Sequence, residues 1–176
     1  LRFTCAFPTM NILIIKLSAI GDVVQSLPFL ETLRKTYPGA RIDWVVEEAS
    51  SQILEGHPAI NRMIVSRRKG WQKNIVVNSN RINAFKGIHQ FLGELRLHRY
   101  DWVIDLQGLF KSGVITGLAS GKRKIGMSGS REGAGFFLNE QPIPVNYENH
   151  AVDRYLRVAE YLGCDSVGGP NPVPFA

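Results

Sequence analysis

Met10-Asn-Ile-Leu-Ile-Ile-Lys-Leu-Ser-Ala-Ile-Gly-Asp22 is the stretch that decides the fold of this chain. Ile12, Leu13, Ile14, Ile15 and the stem of Lys16 make a short, unbroken apolar run, the pattern of a strand buried on both faces of a parallel sheet. Ser18-Ala-Ile-Gly21 reads as a turn, and a helical pattern opens at Asp22. Such a strand–turn–helix unit brings a carboxylate and several backbone N–H groups to the carboxyl end of a sheet, the edge where open α/β folds bind ligands. The turn is neither the Gly-x-Gly-x-x-Gly of dinucleotide enzymes nor a phosphate loop ending in Gly-Lys-Ser/Thr.

Outward from this unit, strand and helix signals alternate, which predicts an α/β fold with a Rossmann-like, doubly wound, mostly parallel sheet. A helix is predicted over 22–36, with Val23, Leu27, Leu30 and Leu33 on one side and Pro28 inside it, where proline removes a backbone hydrogen bond or kinks the helix. Pro38-Gly39 marks a turn. Ile42, Trp44 and Val46 alternate along a strand over 41–46, followed by a short helix over 49–55 and a third strand over 62–65. Residues 67–82 read as a basic, irregular segment. A helix over 83–96 carries Ala84, Ile88, Phe91, Leu92 and Leu95 at helical spacing. A strand over 100–106, a helix over 111–119, a short strand over 124–127 and a closing helix over 150–162 complete the order.

The 176 residues, 44% hydrophobic and 20% charged, suffice for one ordinary core and exclude a disordered chain. No apolar stretch approaches the ~20 residues that span a bilayer. Cys5 and Cys164 lie far apart without metal-ligand spacing and read as plain thiols of a reducing compartment. The net charge of +6 favours anionic partners without choosing among phosphates, acidic lipids and nucleic acid. Aromatics between Phe91 and Tyr100 lie near Arg96, His98 and Arg99, but no RNA-binding sheet motif or zinc finger accompanies them, so nucleic acid is not the expected partner. Residues 1–9 lack the basic region and apolar core of a secretory signal and read as a disordered upstream extension before Met10. Residues 10–166 read as one domain, and 167–176, rich in Gly and Pro, as the start of a linker.

The first and fourth predicted strands both end in polar groups at one sheet edge: Ser18, Gly21 and Asp22, then Asp105, Gln107 and Gly108. A carboxylate at a helix start can cap the backbone or act chemically, and spacing alone leaves both open for Asp22. Asp105 reads as a structural anchor for the loop before Gly108. Ser18 lacks a nucleophile elbow and reads as a turn residue. A second set is cationic: Arg67, Arg68, Lys69 and Lys73 around Trp71, with Lys111, Arg131 and Arg154 elsewhere. Arginine forks suit phosphate or carboxylate, while a solvated basic loop is the alternative. His150 and Arg154 share a helix face near its start, where cations oppose the dipole and so hint at an anion. No residue set has the spacing of a metal site or of a Ser–His–Asp triad.

The run Ile12–Pro28 closely resembles the amino-terminal signature of the bacterial lipopolysaccharide heptosyltransferases, glycosyltransferase family 9. Further blocks agree in order: Pro38-Gly39, Asp43-Trp-Val-Val-Glu-Glu48, Asp101-x-Val-Ile-Asp105-x-Gln-Gly-Leu-x-Lys111-Ser, Gly126-Met127, Ser130-Arg-Glu132 and His150-Ala-Val-Asp-Arg154. The Asp43–Glu48 and Asn149–Arg154 segments look most like the members that add the first heptose to Kdo.

The resemblance implies the amino-terminal, acceptor-binding half of a GT-B glycosyltransferase, with the donor ADP-heptose held mainly by a carboxyl-terminal half. It implies inverting transfer of heptose to the Kdo/inner core of lipopolysaccharide, with Asp22 as general base. It places Lys16, Lys111, Arg131 and Arg154 against the acceptor's carboxylates and phosphates, with Ser18 beside them. The loop of Arg67, Arg68, Lys69 and Lys73 aligns with the family's acceptor loop, with Gly70 and Gln72 where basic residues are common. It implies no metal or other cofactor, a Kdo–lipid A acceptor, a monomer, and a cytoplasmic site at the inner-membrane surface. Taken alone, this length is expected to be inactive. Two other readings are a stand-alone module binding acidic sugars or lipids, and a nucleotide-cofactor oxidoreductase domain, against which the missing Gly-x-Gly-x-x-Gly counts.

Overall fold

The computed structural model describes residues 10–76 and 81–164. Five strands, β1 (Asn11–Ile15), β2 (Arg41–Glu47), β3 (Arg62–Ser66), β4 (Tyr100–Asp105) and β5 (Gly121–Gly126), form one sheet in the order β3-β2-β1-β4-β5. Every strand pair is parallel. The order reverses between β1 and β4, which opens a crevice at their carboxyl ends.

β1 lies at the centre because both its faces are apolar. Ile12 and Ile14 join one core cluster with Phe29, Leu30, Trp44, Tyr155 and Val158. Leu13, Ile15 and Leu17 join the other with Val45, Phe91, Leu95, Tyr100 and Ile115. The period of two along the strand sends neighbours to opposite layers. Helices α1 (Ile20–Gln25), α2 (Leu27–Thr36) and α6 (Ala151–Tyr161) belong to the first layer. Helices α3 (Arg68–Val76), α4 (Arg81–Leu95) and α5 (Phe110–Leu118) belong to the second. Trp44 is fully buried, with Nε1 donating to the Lys16 carbonyl at 3.2 Å.

Three local expectations change. The single helix over 22–36 is two helices divided at Ser26, whose Oγ donates to the Val23 carbonyl at 2.7 Å. Pro28 therefore sits at the second position of α2, where a missing N–H costs nothing because the first turn has no internal acceptors. The short helix over 49–55 is a 3₁₀ turn, Glu48–Ile53. The basic segment thought irregular holds α3, which packs on α4 through a Trp71–Phe91 ring contact at 5.5 Å; tertiary packing outweighs the poor local signal. Cys164 is buried. The expected extension over 1–9 and linker over 167–176 lie outside the described residues. No described helix is long and apolar enough to cross a membrane.

Candidate functional site

The carboxyl ends of β1, β2, β3 and β4 bring the predicted polar residues to one edge. Asp22 is the third residue of α1, which starts at Ile20 after Ala19 and has no side-chain cap. Capping is thus not its role. Its carboxylate is half-exposed, and Oδ2 lies 3.6 Å from the Lys16 ammonium.

Lys16 is buried, only 3% exposed, and its Nζ donates to the Leu106 carbonyl at 3.4 Å. The same ammonium lies 5.1 Å above the Tyr155 ring of α6. Burial holds its pKa below the usual lysine value, opposed by Asp22 and then Asp105 and reinforced by Arg154. Tyr155 is buried, and its phenol is pushed up to about 12, by burial first and by the Asp22 charge second. Asp22, Lys16, Tyr155 and Arg154 thus form one electrostatic group.

Arg154 stacks on the Tyr147 ring at 4.7 Å, and its buried Nε has no hydrogen-bond partner among the described residues. Arg131 is exposed in the loop after β5. Its backbone N–H donates to the Gly108 carbonyl at 2.8 Å, and its charge acts with that of Arg154 on the Tyr147 phenol.

The second group centres on Glu47, a buried carboxylate at the end of β2. Lys111 Nζ donates to Glu47 Oε1 at 2.9 Å and to Ser18 Oγ at 2.8 Å. Arg68 approaches the same oxygen at 3.7 Å, and Lys69 reaches Oε2 at 4.0 Å. Three cations share one anion, and the buried Arg68 Nε lacks a partner among the described residues. Arg67 pairs instead with Glu48 at 3.1 Å. A 100 Å³ pocket lies among Glu47, Glu48, Ser66, Arg67 and Lys69. Lys73 is exposed further along α3, with no ion pair among the described residues.

The two groups are tied across the crevice. Gln107, after β4, accepts from the N–H groups of both Leu17 and Ser18 at 3.2 Å. Asp105 holds that loop as expected: its carboxylate accepts from the N–H groups of Gln107 (2.8 Å) and Gly108 (3.0 Å) and from Ser112 Oγ (2.9 Å). Burial raises its pKa while these bonds oppose the rise. A much larger cavity, 1290 Å³, lies at the other end of the strands, against Met10, Tyr37 and Trp102, and touches none of these groups.

Sequence reasoning singled out Asp22, just beyond the end of β1, and the cations, most of which lie on the helices and loops that follow the strands. It gave no role to Glu47, one of three charged residues in β2 and the last of them. It gave none to Tyr155, hidden at a core position of α6.

A parallel sheet with this strand order, carrying its polar groups at the β1/β4 reversal, is a Rossmann-like, doubly wound domain, and its solved neighbours make it one half of a GT-B glycosyltransferase fold. Residues 88–174 match the sequence profile of glycosyltransferase family 9 (heptosyltransferase), and the chain belongs to that family. It is 33% identical over 165 residues to lipopolysaccharide heptosyltransferase 1 of Pseudomonas aeruginosa, covering 90% of this chain and 45% of that protein. The Escherichia coli lipopolysaccharide heptosyltransferase 1 is 36% identical over 147 residues, covering 82% and 45%. A solved structure of the Escherichia coli heptosyltransferase WaaC with ADP-2-deoxy-2-fluoro heptose matches with a TM-score of 0.77 at 36% identity, covering 89% of this chain and 49% of that one. The chain spans about half the length of the curated relatives it matches.

Proposed function

We propose that this chain is the acceptor-binding half of an inverting heptosyltransferase, with Asp22 as general base and ADP-heptose as donor. The observation that carries the reading is the placement of Asp22: a half-exposed carboxylate at the β1/β4 crevice, relieved of capping and set beside the Lys16 ammonium. In this mechanism a hydroxyl of the Kdo acceptor attacks the anomeric carbon of heptose. A new C–O bond forms there, the bond to the phosphate of ADP breaks, and the hydroxyl proton passes to Asp22. Lys16 orients the carboxylate and holds positive charge at the crevice. Lys111, Arg131 and Arg154, with Arg68 and Lys69, receive the acidic groups of the acceptor, and Ser18 positions Lys111 through their hydrogen bond. Arg67 and Lys73 extend the same positive surface. The unpartnered Nε atoms of Arg68 and Arg154 support an anionic ligand here, because buried guanidinium donors call for acceptors. The donor is inferred from the relative solved with a fluorinated ADP-heptose.

The test joins this chain to the remaining half of the Escherichia coli relative and follows ADP release with Kdo–lipid A as acceptor. Asp22→Asn is expected to lower kcat by about 10²–10⁴-fold with an unchanged thermal midpoint. Turnover retained by the folded variant removes Asp22 as base. In the chain alone, Lys111→Ala and Arg154→Ala are each expected to weaken calorimetric binding of free Kdo by roughly fivefold or more; unchanged affinity would place the acceptor elsewhere.

A further inference from the structure

From residue 67 to residue 93 the chain carries Arg67, Arg68, Lys69, Lys73, Arg81 and Lys86, and not one Asp or Glu. The first three lie at the site just described. Lys73 lies further along α3, and Arg81 and Lys86 belong to α4, which the mechanism does not use.

The packing of these two helices decides what α4 shows to solvent. Trp71 of α3 lies against α4 so closely that a Cβ on Gly87 would fall 2.5 Å from its Nε1; only glycine admits the approach. α4 buries Ala84, Phe91 and Leu95, a single stripe at helical spacing. Ile82 and Phe85 lie off that stripe, 70% and 61% exposed. Arg81 precedes Phe85 by four residues and Lys86 follows Ile82 by four, so these four side chains occupy one outward arc. All four are exposed, and among the described residues Lys73, Arg81 and Lys86 enter no ion pair.

Two large apolar side chains between unpaired cations, in a stretch of sequence without a carboxylate, match the chemistry of an interfacial helix on an anionic bilayer. We propose that α4 docks this protein on an anionic lipid surface. Ile82 and Phe85 enter the boundary between headgroups and acyl chains, while Lys73, Arg81 and Lys86 meet lipid phosphates. The charge complementarity selects the lipid, and continuity with Arg67–Lys69 points the crevice toward a lipid-borne acceptor. The inference rests on the acceptor reading above for that orientation, and on α4 alone for the docking.

Flotation of the 176-residue chain with vesicles tests it, using phosphatidylcholine alone and phosphatidylcholine with one-third phosphatidylglycerol. The chain is expected to float with the anionic vesicles only. Ile82→Ser/Phe85→Ser and Arg81→Glu/Lys86→Glu are each expected to weaken vesicle binding by about tenfold or more. Both should keep the native circular dichroism and bind free Kdo as the native chain does. Three results overturn the proposal: no binding to anionic vesicles, equal binding to neutral ones, or undiminished binding by both folded double variants. Loss on charge reversal with full binding by the serine variant would also overturn it, in favour of a general polyanion surface. Vesicle binding without Kdo binding would sustain the docking and remove only the acceptor reading.

Discussion

Lys16 shows how one residue of the candidate site can cost stability. Its ammonium is buried beside Asp22, and burial lowers its pKa from lysine's ordinary 10.5. In the window between the lowered folded value and 10.5, the unfolded chain binds more protons than the folded one, so stability rises with pH there. Below the window the penalty is present in full. Lys16→Met keeps the apolar stem without the charge. It is expected to be more stable than the native chain by ~1 kcal/mol at pH 7, with the advantage shrinking as pH approaches lysine's ordinary value; urea midpoints at pH 7 and pH 10 check it. The same change should weaken Kdo binding, the usual conflict between a built site and a stable core. At this scale the sequence was legible where a polar residue closed an apolar strand or stood one turn beyond it, as Asp105 and Asp22 do. It was not legible at Glu47, because one glutamate at a strand end does not announce that Lys111, Arg68 and Lys69 will converge on it.

Among the elements, α5 depends on the absence of side chains. A Cβ on Gly113 would lie 2.7 Å from the Phe137 ring and 3.0 Å from the Ala134 Cα, and the second of these is backbone that cannot swing aside. Alanine gains ~1 kcal/mol of helix propensity over glycine, but overpacking of this kind costs about 1–3 kcal/mol. Gly113→Ala is therefore expected to lower stability by roughly 1 kcal/mol, read as a fall in the urea midpoint. The strands were readable because β1 and β4 are short apolar runs with sharp ends. The helix boundaries were less so. The division at Ser26 depends on a serine hydroxyl bonding back to Val23, which periodicity does not register. α3 exists through Trp71 packing on Phe91 and over Gly87, a contact between segments 20 residues apart that no local window contains.

Across the whole molecule, positive charge gathers at the carboxyl edge of the sheet and along α3 and α4. Kdo binding is accordingly expected to weaken several-fold between ~0.05 M and ~0.5 M salt, as exposed charges are screened over shorter distances; titrations at the two salt concentrations measure this. Indifference to salt would mean that the exposed cations contribute little. The parallel architecture was legible from the alternation of strands and helices, and the strand order follows from connections returning to either side of a central β1. That order also has a consequence in time. Gln107 fastens the backbone at Leu17 and Ser18 across about ninety residues of chain, and β4 completes the pairing of β1. During synthesis, Asp22 leaves the ribosome long before its fastening exists. A nascent chain shorter than β4 carries Asp22 behind an unmoored turn, so the surroundings of that carboxylate are among the last parts of the domain to come into being.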